Sequence, residues 1–288
     1  MSPTVLNNYQ HIKLVASDLD GTLLGNFNGG TMTERTVKSL QDLENKGIQI
    51  VLASGRPPRS FFPLAAQANL KRPIIISCNG GLVLDSKTKE VIRKYSIATD
   101  SVRELIREVK THFDPKDILI GGESGASFRC EENYAEKRRT WVPKNYVRVD
   151  DLDNFATEEH TIEKLMLLHR EWVAEDLYNY LKANVLTDSK WKDMIHYTFS
   201  SPNFVEVSAV GVCKATALKD VCEELGVKRE EVIAFGDMPN DCEMIEYAGT
   251  GVAMGNAHQQ VKEIADLITL DNANDGVAVV LEEISKQI

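Results

Sequence analysis

The mostly apolar run Ile12-Lys13-Leu14-Val15-Ala16-Ser17 leads straight into Asp18-Leu19-Asp20-Gly21-Thr22, and that junction constrains the fold more than any other stretch. The run reads as a short strand. It carries two carboxylates, two positions apart, to its carboxyl end, where open α/β sheets bind ligands. Leu19 between them implies a turn that fixes both carboxylates against one site, and Gly21 supplies the freedom for a sharp exit.

The same rhythm continues downstream. Thr33 caps a helix running to Lys46, with Val37, Leu40 and Leu43 on one face and Gly47 as its stop. The strand Ile48–Ala53 follows and ends at Ser54-Gly55-Arg56, after which Pro57 and Pro58 break the chain and open a helix. A third strand, Ile74–Ser77, ends at Asn79-Gly80-Gly81. Helices between apolar strands imply parallel pairing through right-handed crossovers.

Beyond Leu84 the texture becomes more polar and takes in all three tryptophans. Val102–Phe113 reads as an amphipathic helix, Ile162–Arg170 as a strand and Trp172–Asn184 as a helix; Ile195–Ser200 and Phe204–Ser208 read as strands. The α/β rhythm then returns in the helix Lys214–Leu225, the strand Val232–Phe235, the helix Cys242–Tyr247, the strand Gly251–Met254 and the helix Val277–Ser285. The expected fold is α/β, a doubly wound, mostly parallel, Rossmann-like core (residues 1–85 and 209–288) with an inserted α+β cap domain (residues 86–208).

A formal charge of −10 on 288 residues argues against non-specific binding to nucleic acid or an anionic membrane. An anionic ligand would then need a local cluster of cations and backbone N–H groups. No apolar run approaches the ~20 residues of a membrane span, and the start, Met1–Gln10, is polar and lacks a signal-peptide core. The five cysteines, Cys78, Cys130, Cys213, Cys222 and Cys242, show no CxxC spacing, so buried reduced thiols and a cytoplasmic protein are expected. The expected partner is a small molecule, with the chain a monomer or weak homodimer.

Polar groups recur at one edge of this layout: Asp18 and Asp20, Ser54, Lys214, and Asp237 with Asn240 and Asp241. Singly each has a bland reading, since a carboxylate after a strand is commonly a turn or N-cap residue and a helix-opening lysine is commonly solvated. Their recurrence in this order shifts the weight to a shared site. Two carboxylates at a strand tip suit a Mg²⁺ ion, a nucleophile and a general acid, which is equipment for handling phosphate.

Here the chain resembles the haloacid dehalogenase superfamily of phosphatases, within it the Cof-like sugar-phosphatase branch with its larger, IIB-type cap. The first motif resembles Asp18-Leu19-Asp20-Gly21-Thr22-Leu23-Leu24 and the second Ser54-Gly55-Arg56-Pro57. The third resembles Gly211-Val212-Cys213-Lys214-Ala215-Thr216-Ala217-Leu218 and the fourth Gly236-Asp237-Met238-Pro239-Asn240-Asp241. Asn79-Gly80-Gly81 matches the Asn-Gly pair that this branch carries near the start of its cap. The resemblance implies that Asp18 is the nucleophile, forming an aspartyl-phosphate, and that Asp20 protonates the leaving alkoxide and then deprotonates water. It implies that Leu19, Ser54, Gly55, Asn79, Gly80, Lys214 and Asn240 hold phosphate. Mg²⁺ would be bound by Asp18, Asp237 and the Asp20 carbonyl, with Asp241 holding the shell.

The chemistry fits those roles. A carboxylate attacking a phosphate dianion meets repulsion that Mg²⁺ and a lysine offset. An acid at Asp20 suits phosphoryl transfer and not dehalogenation. Cys213, Ala215, Pro239 and Ser54 depart from commoner residues of the family without removing a catalytic group. The expected activity is Mg²⁺-dependent hydrolysis of small phosphate monoesters, sugar phosphates ahead of pyridoxal phosphate or flavin mononucleotide. A phosphotransferase or mutase with the same intermediate, or a regulatory phosphometabolite-binding protein, are the alternatives. Specificity is expected in the cap. There Lys137-Arg138-Arg139 beside Trp141 reads as a solvated basic helix face ahead of a recognition surface for a second anionic group, and Glu123-Ser124-Gly125 as a turn ahead of a loop facing the site. His258 reads as a surface residue ahead of one near the phosphate edge, and Arg56 as either a site neighbour or an ion-pair partner.

Overall fold

Leu14–Asp18 (β1) is buried along its whole length, as a strand must be when it runs down the middle of a parallel sheet. The structure, a computed structural model, describes residues 9–25 and 30–288, so the polar start at residues 1–8 lies outside it. Asp18 is itself the last residue of β1, one position further into the sheet than the apolar run suggests. Gln49–Ala53 (β2) and Ile74–Ser77 (β3) follow in parallel, and Leu82–Asp85 (β4) runs antiparallel to β3. Val91–Lys94 (β5) completes this edge of the sheet.

The next strands form a second sheet: Ile118–Ser124 (β6), Ser127–Cys130 (β7), Val147–Arg148 (β8), Lys164–His169 (β9), Ile195–Thr198 (β10) and Val205–Ala209 (β11), in the order β10-β11-β9-β6-β7-β8. The chain then returns to the first sheet with Val232–Gly236 (β12), Thr250–Ala253 (β13) and Leu267–Ile268 (β14). That sheet reads β14-β13-β12-β1-β2-β3-β4-β5. It is parallel from β14 to β3, so the mostly parallel, doubly wound arrangement expected from the sequence is what is found.

Two compact units result, one of residues up to Arg93 with Cys213–Ile288, the other Lys94–Val212. In the first, helix Glu34–Asn45 (α1) is capped by Thr33, whose Oγ1 accepts from the Thr36 amide at 3.1 Å. Its buried face holds Leu40 and Leu43 with the hydroxyl residues Thr36 and Ser39, while Val37 is only half-buried. Pro58–Ala65 (α2) begins at the expected proline pair.

The second unit is built on period-2 alternation. Ile118, Ile120, Leu165, Leu167, Val205 and Val207 face helices Thr99–His112 (α3) and, beyond Glu132–Lys137 (α4), Ala174–Tyr180 (α5). Leu119, Met166 and Leu168 point to the opposite face, with Phe128 and Tyr134. The helix expected from Trp172 starts at Ala174 and widens into a π-turn, Leu181–Val185. Trp172 instead stacks on His169, with ring centroids 4.4 Å apart. The basic patch is not a solvated helix face throughout. Helix α4 ends at Lys137, and the Arg138 guanidinium lies over the Trp141 and Phe204 rings, 5.5 and 5.6 Å from their centroids. A flat cation stacks where an aromatic face is offered. Lys137 and Arg139 are exposed, as expected. Glu123 and Ser124 end β6, and the turn falls at Gly125. All five cysteines are free and buried.

In the first unit, Lys214–Leu225 (α6) and Cys242–Tyr247 (α7) have the bounds read from the sequence, followed by Gln259–Ile264 (α8) and Gly276–Gln287 (α9). Among the described residues, no helix is long and apolar enough to cross a membrane.

Candidate active site

Parallel pairing of β12, β1 and β2 puts their carboxyl ends at one edge, and the polar residues follow those ends directly. Asp18 closes β1, Ser54 follows β2, and Asp237 follows β12. Lys214 is the first residue of α6. Thr216 steadies that helix start, its Oγ1 accepting from the Cys213 amide and donating to the Cys213 carbonyl, each at 3.0 Å. The Cys213 departure therefore leaves the helix start intact.

Lys214 Nζ donates to Asp18 Oδ1 at 2.5 Å and to Asp241 Oδ1 at 2.6 Å, and all three side chains are buried. The other Asp241 oxygen accepts from the backbone amides of Asp237 and Met238, at 3.0 and 3.1 Å. Pro239 opens the short 3₁₀ turn Pro239–Asp241 that delivers this carboxylate, a position where its missing N–H costs nothing. Thr22 Oγ1 donates to Asp237 Oδ1 at 2.9 Å. Gly21, at φ +83°, is required by close approach: a Cβ there would lie 2.2 Å from Asp237 Oδ2. The first and fourth motifs are thus packed directly on each other.

Oxygen atoms of Asp18, Asp237 and Asp241 all lie within 4.8 Å of one another, in a buried cluster. Burial raises the Asp18 carboxyl well above its ordinary value; Lys214 opposes the rise, and the Asp241, Asp237 and Asp20 charges add to it. Burial pushes Asp237 up to about 8, with the Asp241 charge adding to the effect. Burial also works against the Lys214 ammonium, but Asp18 and Asp241 outweigh it and hold the lysine charged. Among the described residues, four carboxylates, Asp20 included, face two cations, Lys214 and Arg56. Such an excess of negative charge on an all-oxygen donor set suits a hard divalent cation. The residues present fit Mg²⁺.

Asp20 stands apart from that cluster. Arg56 holds its carboxylate in a two-contact fork, Nε to Oδ2 at 2.6 Å and an Nη to Oδ1 at 2.7 Å. Leu19 is fully buried, and its carbonyl accepts from the Thr22 and Leu24 amides, so any phosphate contact from it would be through the backbone N–H. Ser54 Oγ accepts from the Arg56 amide at 3.1 Å. Gly55 lies half-buried between them. Asn240 Nδ2 donates to Asn79 Oδ1 at 2.9 Å, leaving Asn79 Nδ2 and Asn240 Oδ1 buried without a partner among the described residues. Gly80 packs on the start of α6, where a Cβ would meet the Cys213 carbonyl at 2.3 Å.

Two residues act here that the sequence reading passed over. Asn256, just past the carboxyl end of β13, donates to the Gly21 carbonyl at 2.8 Å and accepts from the Asn272 amide at 2.9 Å. Asn272 in turn donates to the Leu24 carbonyl at 2.9 Å, so the pair pins both ends of the first motif's turn. The signal for Asn256 was its place after a strand; for Asn272 there was none. His258 is half-buried, and its backbone N–H donates to the Asp237 carbonyl at 2.7 Å.

Residues 15–281 match the family model of the haloacid dehalogenase-like hydrolases. Two 5-amino-6-(5-phospho-D-ribitylamino)uracil phosphatases of Bacillus subtilis are similar over almost the whole chain. One is 32% identical, covering 94% of this chain and 96% of the relative; the other is 33% identical, covering 93% of each. A solved haloacid dehalogenase-like hydrolase from Bacteroides thetaiotaomicron is 32% identical with a TM-score of 0.73, covering 95% of this chain and 99% of that one.

Proposed function

The chain is a phosphatase of the haloacid dehalogenase-like hydrolase family, Cof-like in its branch, and we propose that it hydrolyses small phosphate monoesters with Mg²⁺ through an aspartyl-phosphate. The observation that carries this reading is the buried Lys214 held between Asp18 and Asp241, beside Asp237. A binding module has no use for a carboxylate nucleophile kept next to a lysine and a second acid.

In this reading Asp18 attacks phosphorus, and the bond from phosphorus to the ester oxygen breaks. Asp20 gives its proton to that oxygen as the alcohol leaves. Water then attacks phosphorus, Asp20 takes one of its protons, and the bond to Asp18 breaks to release inorganic phosphate. Lys214 keeps positive charge at the Asp18 oxygen through both halves. Ser54 Oγ, the Leu19 and Gly55 amides and the Asn79–Asn240 amide pair hold phosphate oxygens, with Gly80 letting that pair approach the start of α6. Asp18 and Asp237 each have one oxygen without a hydrogen bond among the described residues, and with the Asp20 carbonyl they would hold Mg²⁺. Asp241, both of whose oxygens are engaged, steadies the shell. When bound, the ion offsets the charge of the incoming phosphate.

The substrate class is a primary phosphate ester on a small polyhydroxylated carrier, a sugar or sugar-alcohol phosphate. The ribityl phosphate in the names of the two B. subtilis relatives supports it. The enzyme works in the cytoplasm as a monomer or weak homodimer. The test is phosphate release from sugar phosphates, ribityl phosphates, nucleotides, pyridoxal phosphate and an aryl phosphate, with Mg²⁺ and with chelator. Mg²⁺-dependent release, led by the sugar and ribityl esters, is expected. Transfer to an added acceptor sugar without free phosphate would replace the hydrolase with a phosphotransferase.

A further inference from the structure

The fork between Arg56 and Asp20 has no part in the steps above, yet it is built from several sides. Arg56 Nε and an Nη reach the two Asp20 oxygens at 2.6 and 2.7 Å, and both side chains are more than four-fifths buried, 18% and 17% exposed. A single exposed ion pair fixes little, whereas a two-contact fork fixes the plane of the carboxylate. The backbone of Arg56 is held as firmly. Its amide donates to Ser54 Oγ at 3.1 Å, and its carbonyl accepts from Ser77 Oγ at 2.6 Å and from the Cys78 amide at 3.1 Å.

The segment behind it is conformationally unusual at Cys78. Cys78 and Asn79 are left-handed, at φ 53° and 55°, and are kept so by bonds to the second motif: Cys78 N–H to the Arg56 carbonyl and Asn79 N–H to the Ser54 carbonyl. Asparagine tolerates this conformation, whereas a cysteine adopts it rarely and where the surroundings impose it. Both the side chain and the backbone of Arg56 are therefore set in place relative to Ser54 and Asp20.

We propose that Arg56 is a positioning residue for Asp20, its fork holding the carboxyl plane so that one oxygen meets the ester oxygen and later the water. The proposal rests on the acid–base role given to Asp20 above. As the phosphorus–ester oxygen bond breaks, the proton of Asp20 passes to the departing oxygen, and the carboxylate left behind is the form the fork receives. Lysine at this position would supply charge but no fork.

Leaving groups separate this role from its rivals. An alkyl phosphate needs its departing oxygen protonated, and p-nitrophenyl phosphate does not. Arg56→Ala should lower kcat/KM for the alkyl ester by about 10- to 100-fold, and for the nitrophenyl ester by less than about threefold. Arg56→Lys should fall between wild type and alanine on the alkyl ester, and it supplies the same ratio where the alanine variant does not fold. Adding Arg56→Ala to Asp20→Asn should change the alkyl ester rate by less than about twofold, because residues that act through one another are not additive. Equal losses on both esters would make Arg56 a phosphate contact and overturn the proposal, as would full additivity with Asp20→Asn. Undiminished turnover by Asp18→Asn would overturn the site reading itself, and the proposal with it.

Discussion

Lys214 Nζ lies 2.5 Å from Asp18 Oδ1, although 196 positions separate the two residues in the chain. The contact exists because β12 and β1 are parallel neighbours while α6 begins at the same edge of the sheet. With Asp241 on its other side, the lysine is an ammonium between two buried carboxylates. Its charge opposes the burial and the neighbouring acids that raise the Asp18 carboxyl above its ordinary value.

Asp18→Asn should abolish turnover by about 10³-fold or more, the scale of losing a covalent nucleophile. Its side-chain oxygen still accepts from Lys214, so the fold should survive. Phosphate release and the thermal midpoint in chelator check this together. A variant that is inactive because it is unfolded would show in the second measurement.

Lys214→Met has the opposite signature. Removing the cation leaves Asp18 and Asp241 buried without compensation, and breaking a buried pair in this way costs about 3–5 kcal/mol. Urea unfolding in chelator should show a midpoint well below wild type, along with loss of turnover. An unchanged midpoint would mean that Lys214 contributes nothing to holding the carboxylates.

Gly21→Ala and Gly47→Ala form a matched pair. Both glycines are left-handed, at φ +83° and +88°, so each alanine costs about 1–2 kcal/mol in backbone conformation. Of the two, only at Gly21 does the added Cβ strike a functional atom, 2.2 Å from Asp237 Oδ2; at Gly47 nothing among the described residues lies within 4 Å. Gly47→Ala should lower the thermal midpoint and keep kcat/KM. Gly21→Ala should lose activity and Mg²⁺-induced stabilisation as well.

The strands and acids of the first unit were legible because parallel-sheet burial writes itself as apolar runs and each run ends on a polar turn. Helices α6 and α7 were legible to the residue, the first stopping at Leu225 before a glycine, the second opening straight after the fourth motif. The β6–β7 hairpin was not, because Gly121 and Gly122 sit inside β6 and read as breakers. They are there for close packing: a Cβ at Gly121 would lie 2.9 Å from Phe128 and Tyr134, and at Gly122 2.8 Å from Phe155. For Arg56 the sequence offered a site neighbour or an ion-pair partner; that it is both, with Asp20 as the partner, was not legible. The Arg56 backbone behind that contact is bonded by the left-handed turn at Cys78–Asn79, and no spacing in the sequence announces that conformation.

Proton and metal compete for the same carboxylates, and this gives stability a definite pH dependence. Burial raises Asp237 from its ordinary 3.8 to about 8, so between those values the folded, metal-free protein binds a proton that the unfolded chain has released. The stability from this group is complete below about pH 4 and is lost as pH rises through about 8. Asp18, raised in the same direction, adds to the trend. The half-buried His169, held below its ordinary value by burial, works in the opposite direction. The comparison with Asp237→Asn removes that background. In chelator, the wild-type thermal midpoint should fall relative to Asp237→Asn as pH rises from about 5 to about 9. Mg²⁺ needs the deprotonated carboxylates, so its stabilisation of wild type should grow over the same interval and be largely lost in the variant. Parallel midpoints for the two proteins across this range would show that Asp237 is already ionised in the metal-free fold.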